Sequence, residues 1–80
     1  MGSEVTLYTQ TGCVVGARVR TWLAEQGVAF IERDVSNDLA AMAELARTGV
    51  FATPLLIVGD RLVFGFRPHL LVAALGLNLG

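Results

Sequence analysis

The chain contains one cysteine, Cys13, and the residues around it predict a reactive thiol. It lies in the run Thr-Gly-Cys-Val-Val-Gly-Ala at residues 11–17, between a strand-like segment and the start of a helical pattern. A thiol on the first turn of a helix meets free backbone N–H groups and the positive end of the helix dipole, and both stabilise the thiolate. The thiolate is the species that attacks disulfides.

The alternative interpretation is that Cys13 is a small buried hydrophobic side chain, because free cysteine is among the most buried residue types. On a helical wheel, however, Cys13 falls opposite the apolar stripe of the predicted helix. This position favours the reactive thiol.

The composition limits the classes of function. Eighty residues predict one small domain that spans residues 1–80, and the 54% hydrophobic content excludes a disordered chain. The net charge of -1 argues against nucleic acid as a partner, because phosphate binding needs a basic surface. One cysteine and one histidine cannot build a zinc site, so we expect no metal.

The sequence also predicts no membrane partner and a cytoplasmic location. The longest apolar stretch, residues 70–79, is interrupted by Gly76 and Asn78 and is shorter than the roughly 18 residues that a spanning helix needs. The N-terminal residues lack the pattern of a signal peptide. A single cysteine forms no internal disulfide, which suits a reducing compartment.

Alternating strand and helix patterns predict an α/β fold with the order β-α-β-α-β-β-α. Strands are predicted at residues 5–8, 29–32, 55–58 and 61–64, and helices at about 13–26, from the turn at 34–38 to about 47, and at about 69–75. The third strand is almost continuously apolar, which predicts a four-stranded mixed sheet with helices on both faces. The first three strands are expected to be parallel, and a Gly59-Asp60 turn should make the fourth antiparallel.

The helices are expected to bury one stripe each. For the first helix the stripe consists of Val15, Val19, Trp22, Leu23 and Gln26, and Gly27 is the expected terminator. For the second helix it consists of Leu39, Met42, Ala43 and Ala46, with Ser36 or Asn37 as the N-cap. Pro68 suits the first turn of the last helix.

The ordered set of motifs resembles the glutaredoxin family, which has the thioredoxin fold. The matching positions are Tyr8-Thr9 at the end of the first strand, Cys13, Leu23, Gly27, Thr53-Pro54, Gly59-Asp60 and Gly65-Phe66-Arg67-Pro68. The last two of these runs look most like those of the glutaredoxin-like redoxins that reduce ribonucleotide reductase. The resemblance covers residues 4–76 and implies a thiol–disulfide oxidoreductase with a thioredoxin-like fold.

One departure from the family pattern changes the expected chemistry. Gly16 stands where C-x-x-C has its second cysteine, and Val14-Val15 replaces the usual Pro-Tyr. A mixed disulfide on Cys13 must then be released by an external thiol such as glutathione. We therefore expect a monothiol enzyme of cell redox homeostasis, with no bound cofactor and with glutathione and glutathionylated or disulfide-bearing proteins as partners. It should reduce protein disulfides poorly.

The resemblance implies a substrate groove beside Cys13, formed by Gln10, Val15, Thr53, Pro54, Gly65, Phe66 and Arg67. A cis bond before Pro54 turns the backbone of Thr53 toward the thiol, where its N–H and C=O can pair with an extended peptide such as glutathione. Arg67 is a candidate carboxylate ligand, and Phe66 is a candidate partner contact.

The remaining charged and aromatic residues are assigned to structure. Arg18 and Arg20 are expected on a solvated helix face, and His69 is expected at the surface. Core packing is the expected role of Phe51, Phe64 and Trp22.

Three other functions remain open. The first is a non-catalytic thioredoxin-fold binding module in which Cys13 is incidental. The second is an iron–sulfur carrier, with Cys13 from two chains and two external thiols as ligands, although the C-G-F-S signature of such proteins is absent. The third is a transferase half, because residues 17–28 resemble the first helix of glutathione transferase N-terminal domains, whose helical second domain is missing here.

Overall fold

The computed structural model describes residues 4–77 and contains four strands and three helices in the predicted order. The strands are β1 (Val5–Thr9), β2 (Ile31–Asp34), β3 (Leu55–Val58) and β4 (Arg61–Phe64). The helices are α1 (Val14–Glu25), α2 (Leu39–Arg47) and α3 (Pro68–Leu75). β2 therefore begins two residues later than predicted, and α3 begins at Pro68, which occupies the first turn as expected.

The sheet has the strand order β2-β1-β3-β4 and is mixed. β1 runs parallel to β2, whereas β3 runs antiparallel to β1 with Tyr8 opposite Leu55, and β4 runs antiparallel to β3. The prediction that the first three strands are all parallel is therefore wrong. The reason is that residues 48–54, which follow α2, lead the chain to the end of the sheet where β1 ends. β3 therefore starts beside the end of β1 and runs in the opposite direction.

Both faces of the central strands are covered by helices, as predicted. On one face, Val19 and Leu23 of α1 and Leu71 of α3 pack on a core that includes Leu7 and Leu56. On the other face, Ala41 and Leu45 of α2 pack with Tyr8, Val35 and Leu55. Neighbouring residues such as Leu7 and Tyr8 enter opposite cores because side chains alternate along a strand.

The buried stripe and the N-cap of α2 differ from the prediction. The N-cap is Asp38, and its Oδ1 accepts hydrogen bonds from the backbone N–H groups of Ala40 and Ala41 at 2.9 and 3.2 Å. The buried positions are Ala41 and Leu45, whereas the predicted stripe residue Leu39 is 85% exposed. A helix with alanine, leucine or methionine on every side does not mark its inner face by composition.

The stripe of α1 is only partly as predicted. Val19 and Leu23 are buried and Trp22 packs against the first core, but Val15 is 40% exposed and Gly16 is buried in its place. α1 ends before Gly27, which has a φ of 69° and thus adopts the left-handed conformation expected of a terminator.

Two aromatic residues that were assigned to the core lie at the surface. Phe51 is 78% exposed in the segment before β3, and Phe64 at the end of β4 is 47% exposed. His69 is exposed, as predicted. Among residues 4–77, no helix is long and apolar enough to cross a membrane.

Candidate active site

Cys13 is the N-cap residue of α1, one position before the first turn that the sequence predicted. Its sulfur accepts a hydrogen bond from the backbone N–H of Gly16 at 3.3 Å, the contact that a serine or aspartate oxygen makes in an ordinary N-cap. The side chain is partly exposed. The sulfur therefore sits at the positive end of the helix dipole while it remains accessible, an arrangement suited to a nucleophilic thiolate.

The loop that carries Cys13 is tied to the turn after β2. The Thr11 hydroxyl donates to Asp34 Oδ2 at 2.6 Å, and the Thr11 N–H donates to Ser36 Oγ at 3.0 Å. Asn37 Nδ2 donates to the Thr11 hydroxyl at 3.1 Å. The hydrogen bond from Thr11, assisted by those from Ser36 and Asn37, holds the pKa of Asp34 below its ordinary value.

We call this set of four residues, Thr11, Asp34, Ser36 and Asn37, the loop clamp. None of these four residues is predicted as a site residue from the sequence. The register of the parallel strands β1 and β2 indicates this group. Thr9 lies opposite Asp34, so the loops that follow β1 and β2 leave the sheet side by side. The sequence predicts β2 two residues too early, so this register could not be derived from the sequence.

Gln10 connects the cysteine loop to the segment before β3. Its backbone carbonyl accepts from the Cys13 N–H at 3.0 Å, and its side-chain Oε1 accepts from the Thr53 hydroxyl at 3.3 Å. The peptide bond between Thr53 and Pro54 is cis, as predicted. Pro54 is buried, and its carbonyl accepts from the Gly65 N–H at 2.9 Å, so Gly65 also belongs to this group.

The remaining predicted groove residues extend from this group in two directions. Val15 lies on the first turn of α1, partly exposed beside Cys13. Phe66 follows Gly65 and packs partly against the first core. Arg67 is the N-cap residue of α3, where its side chain makes no capping hydrogen bond and is exposed.

The two arginines that were assigned to a solvated helix face are exposed, but both make specific contacts. The Arg18 guanidinium carbon lies 4.9 Å from the centroid of the Phe66 ring, within the range of a cation–π contact. Arg20 forms two parallel hydrogen bonds with Glu32, from Nε to Oε1 at 2.7 Å and from Nη2 to Oε2 at 2.6 Å.

Glu32 joins this ion pair to a buried group beneath Gly16. Its Oε2 also accepts from the hydroxyl of Thr9, which is 2% exposed, at 2.8 Å. The hydrogen bond from Arg20, helped by that from Thr9, lowers the pKa of Glu32 from its ordinary value. Glu32 thus links β1, β2 and α1 directly under the turn that carries the thiol.

Comparison with known proteins identifies the family. The family model described as Glutaredoxin matches residues 5–63. The glutaredoxin-like protein NrdH of Lactococcus lactis subsp. cremoris is 30% identical over 64 residues, which cover 80% of this chain and 89% of that protein.

Solved structures agree with this match. The thioredoxin-like protein BC3987 superposes with a TM-score of 0.84 at 30% identity, covering 90% of this chain and all (100%) of that one. The NrdH-redoxin of Escherichia coli, a glutaredoxin-like protein with a thioredoxin-like activity profile, superposes with a TM-score of 0.73 at 29% identity, covering 81% of this chain and 86% of that one. The chain with Cys13 at the N-cap of α1 therefore belongs to the glutaredoxin family and has its thioredoxin-like fold.

Proposed function

We propose that this chain is a monothiol thiol–disulfide oxidoreductase that acts through Cys13 and uses glutathione or a similar low-molecular-weight thiol as co-substrate. The observation that carries the proposal is the placement of the only cysteine at the N-cap of α1, with its sulfur 3.3 Å from the Gly16 N–H. The family membership supports thiol–disulfide chemistry, and the single cysteine supports the monothiol route.

The reaction takes two exchanges. In the first, the Cys13 thiolate attacks the glutathione sulfur of a mixed disulfide between a protein and glutathione. The Cys13–glutathione disulfide forms, and the protein sulfur leaves as a thiolate. In the second, a free glutathione thiolate attacks the glutathione sulfur of that intermediate, so that glutathione disulfide leaves and the Cys13 thiolate is restored. Each turnover thus consumes one free glutathione, and the glutathione disulfide that leaves joins it to the glutathione removed from the protein.

The residues around Cys13 are proposed to hold the substrate beside the thiol. Thr53, before the cis-proline, offers its backbone N–H and C=O to an extended peptide, and Gln10 fixes this segment relative to the cysteine loop. Gly65 leaves open space beside Pro54, since no atom lies within 4 Å of a Cβ built on it. Phe66, Arg67 and the exposed Val15 form the outer part of the groove, with Arg67 as the proposed carboxylate ligand.

The partners that this cycle implies are glutathione and glutathionylated or disulfide-bearing proteins. The cycle consumes free thiol, so it needs a reducing compartment such as the cytoplasm. The second thiol that releases a dithiol enzyme from its substrate is absent from the sequence. We therefore expect slow reduction of protein disulfides compared with reduction of glutathione mixed disulfides.

The proposal is tested with a glutathionylated peptide as substrate, glutathione as reductant, and glutathione reductase with NADPH to report each turnover. The wild-type chain should accelerate NADPH consumption, and Cys13→Ser should reduce the rate to that of glutathione alone. Insulin reduction should stay near the background rate for both chains. Equal rates with wild type and Cys13→Ser would contradict the proposal and favour the non-catalytic binding module.

A further inference from the structure

A mainly apolar cleft lies along α1 and reaches Val14, the residue that follows Cys13. Its volume is about 380 Å³, which is within the range of ligand-binding sites. Its lining includes Val14, Arg18, Trp22 and Glu25 of α1, and Phe66 from the segment after β4. Val14 is 74% exposed and Trp22 is half-buried, so this cleft offers apolar surface to a partner. We call it the α1 cleft.

Arg18 is the only cation among the described residues that line the α1 cleft, and its guanidinium is held in place. The guanidinium carbon lies 4.9 Å from the centroid of the Phe66 ring, and this cation–π contact restrains the group. Among residues 4–77, Arg18 has no ion-pair partner, and Glu25 lies two helical turns away. The edge of the guanidinium is therefore available to hold a carboxylate bidentately.

The glutathione part and the protein part of the substrate cannot share one groove, because a single disulfide joins them. In the proposed function, glutathione lies along the backbone of Thr53, and Arg67 pairs with its carboxylate. The protein part must then cover a different surface beside Cys13. The loop clamp has its polar groups paired with one another. The α1 cleft starts next to the thiol and does not include Thr53, so it is the surface that remains for the protein.

The spacing along α1 gives the position of the carboxylate in the substrate. Val14 and Arg18 are four residues apart, which is about 6 Å along a helix. In an extended peptide, side chains two positions apart point the same way and are separated by about 6.6 Å. A residue two positions from the substrate cysteine therefore reaches Arg18 when that cysteine lies at the start of α1.

We propose that the α1 cleft binds the protein part of the glutathionylated substrate and that Arg18 pairs there with a carboxylate two positions from the modified cysteine. The inference rests on the proposed function and names its substrate class, which is glutathionylated proteins with an acidic residue close to the cysteine. Trp22 supplies apolar contact for the bound segment. The net charge of the chain is -1, so its overall charge does not attract acidic segments, and the preference is local to Arg18.

Binding is measured with the Cys13→Ser chain, so that no exchange occurs. Three peptides without tryptophan carry a glutathionylated cysteine, and the residue at the second position on each side of it is glutamate, glutamine or lysine. Trp22 is the only tryptophan of the chain, so its fluorescence reports occupation of the α1 cleft. At low ionic strength the glutamate peptide should bind about fivefold more tightly than the glutamine peptide, as expected for one partly exposed ion pair. Added salt should reduce this ratio.

Variants of three arginines locate the effect. Arg18→Gln should bring the affinity ratio of the glutamate and glutamine peptides close to one, and it should fold because this side chain is exposed. Arg18→Glu should reverse the preference, so that the lysine peptide binds more tightly than the glutamate peptide. Arg61→Gln removes another exposed arginine, at the start of β4, which does not line the α1 cleft, and should keep the ratio. Arg67→Gln should weaken all three peptides by the same factor, because it acts on the glutathione part.

Two results would overturn the inference. One is equal affinity of the glutamate and glutamine peptides for the unsubstituted cleft, and the other is a preference that survives Arg18→Gln. S-methylglutathione alone should leave the fluorescence of Trp22 unchanged. A change as large as that caused by the glutamate peptide would assign the α1 cleft to glutathione and would also overturn the inference.

Turnover with the intact Cys13 separates this inference from the proposed function. A preference for the glutamate peptide in both binding and turnover supports both. Equal turnover of the glutamate and glutamine peptides overturns the α1-cleft inference and leaves the oxidoreductase intact. Preferred binding without any turnover overturns the oxidoreductase but supports the α1 cleft as a binding site for acidic segments.

Discussion

Gly16 lies one helical turn after Cys13, and a Cβ built on Gly16 would be 3.5 Å from both the Cβ and the sulfur of Cys13. This distance is within the Cβ–Cβ range of about 3.5–4.5 Å that a disulfide requires. The other close atom is the methyl carbon of Thr9 at 3.4 Å, an ordinary van der Waals contact. The backbone thus retains dithiol geometry although the second thiol is missing.

Gly16→Cys is therefore expected to create a dithiol enzyme. Mild oxidation should convert the two thiols to an intramolecular disulfide, counted by loss of labelling with a maleimide, and the reduced variant should reduce insulin well above the background rate. Gly16→Ser, which adds a side chain of similar size without sulfur, is the matched control and should stay inactive on insulin. Two thiols that remain labelled after oxidation would show that the first turn of α1 does not have this geometry in solution.

The loop clamp predicts that Asp34 positions Cys13 although it does not touch the thiol. Asp34→Ala removes the acceptor of the Thr11 hydroxyl and of the Ser36 N–H. We expect a small stability loss and a roughly tenfold lower turnover, because small displacements of a reacting group reduce rates strongly. Asp60→Ala, in the hairpin turn between β3 and β4, is the control. A stability loss without a change in turnover would assign the clamp a structural role only.

The ion pair of Glu32 predicts a pH dependence of stability. Its pKa is lowered in the folded chain, mainly by the Arg20 hydrogen bond. The pair therefore stabilises the fold above the unfolded pKa of about 4.3, and this contribution is lost as the pH falls through the lower folded value. Because the Arg20 side chain is 46% exposed, we expect well under 1 kcal/mol.

Glu32→Gln should reduce, but not abolish, the fall in unfolding free energy between pH 6 and pH 3, since the pKa values of Asp34 and Glu44 are also lowered. The amide oxygen of glutamine can still accept from Thr9, so the buried hydroxyl keeps a partner. Urea unfolding at several pH values measures the slope. Glu25→Gln, on the exposed side of α1, should keep the wild-type slope; an unchanged slope in Glu32→Gln would rule out the contribution of this pair.

The core predicts a contrast between two adjacent leucines in α3. Leu71 is fully buried (0% exposed) in the first core, whereas Leu70 is 47% exposed. Leu71→Ala should destabilise the fold by about 2–5 kcal/mol because it leaves a cavity, and Leu70→Ala by about 0.5 kcal/mol or less. Thermal and urea unfolding measure both. Similar losses in the two variants would mean that α3 packs with a different face.

The element order and the position of the thiol could be predicted from local signals in the sequence. Such local signals are Pro68, Gly27 and the apolar run of β3. Each depends on its own backbone conformation or its own burial, so each can be recognised from a single segment of the sequence. The direction of β3 was not visible, because it depends on where residues 48–54 lead the chain after α2. Likewise, Leu39 and Met42 are more apolar than Ala41, yet Ala41 is the buried residue, since its position on α2 faces the second core.

The same limit applies to the candidate site. Cys13, Thr53 and Pro54 belong to motifs that are contiguous in sequence, so they could be proposed as site residues from the sequence alone. The loop clamp is formed by residues from separate segments, and its members have no distinctive neighbours. Phe51 is expected in the core because large aromatic residues are usually buried, and only the tertiary structure leaves it 78% exposed.

The central position of β1 and β3 has a consequence for the order of events during synthesis. β1 and the cysteine loop leave the ribosome before β3, the neighbour of β1 on one side, which is made only after α2. The nascent chain therefore presents Cys13 before Thr53 and Pro54 exist to form a groove beside it. Until β3 is inserted, the proposed groove beside the thiol is incomplete, and the second half of the chain supplies its missing residues.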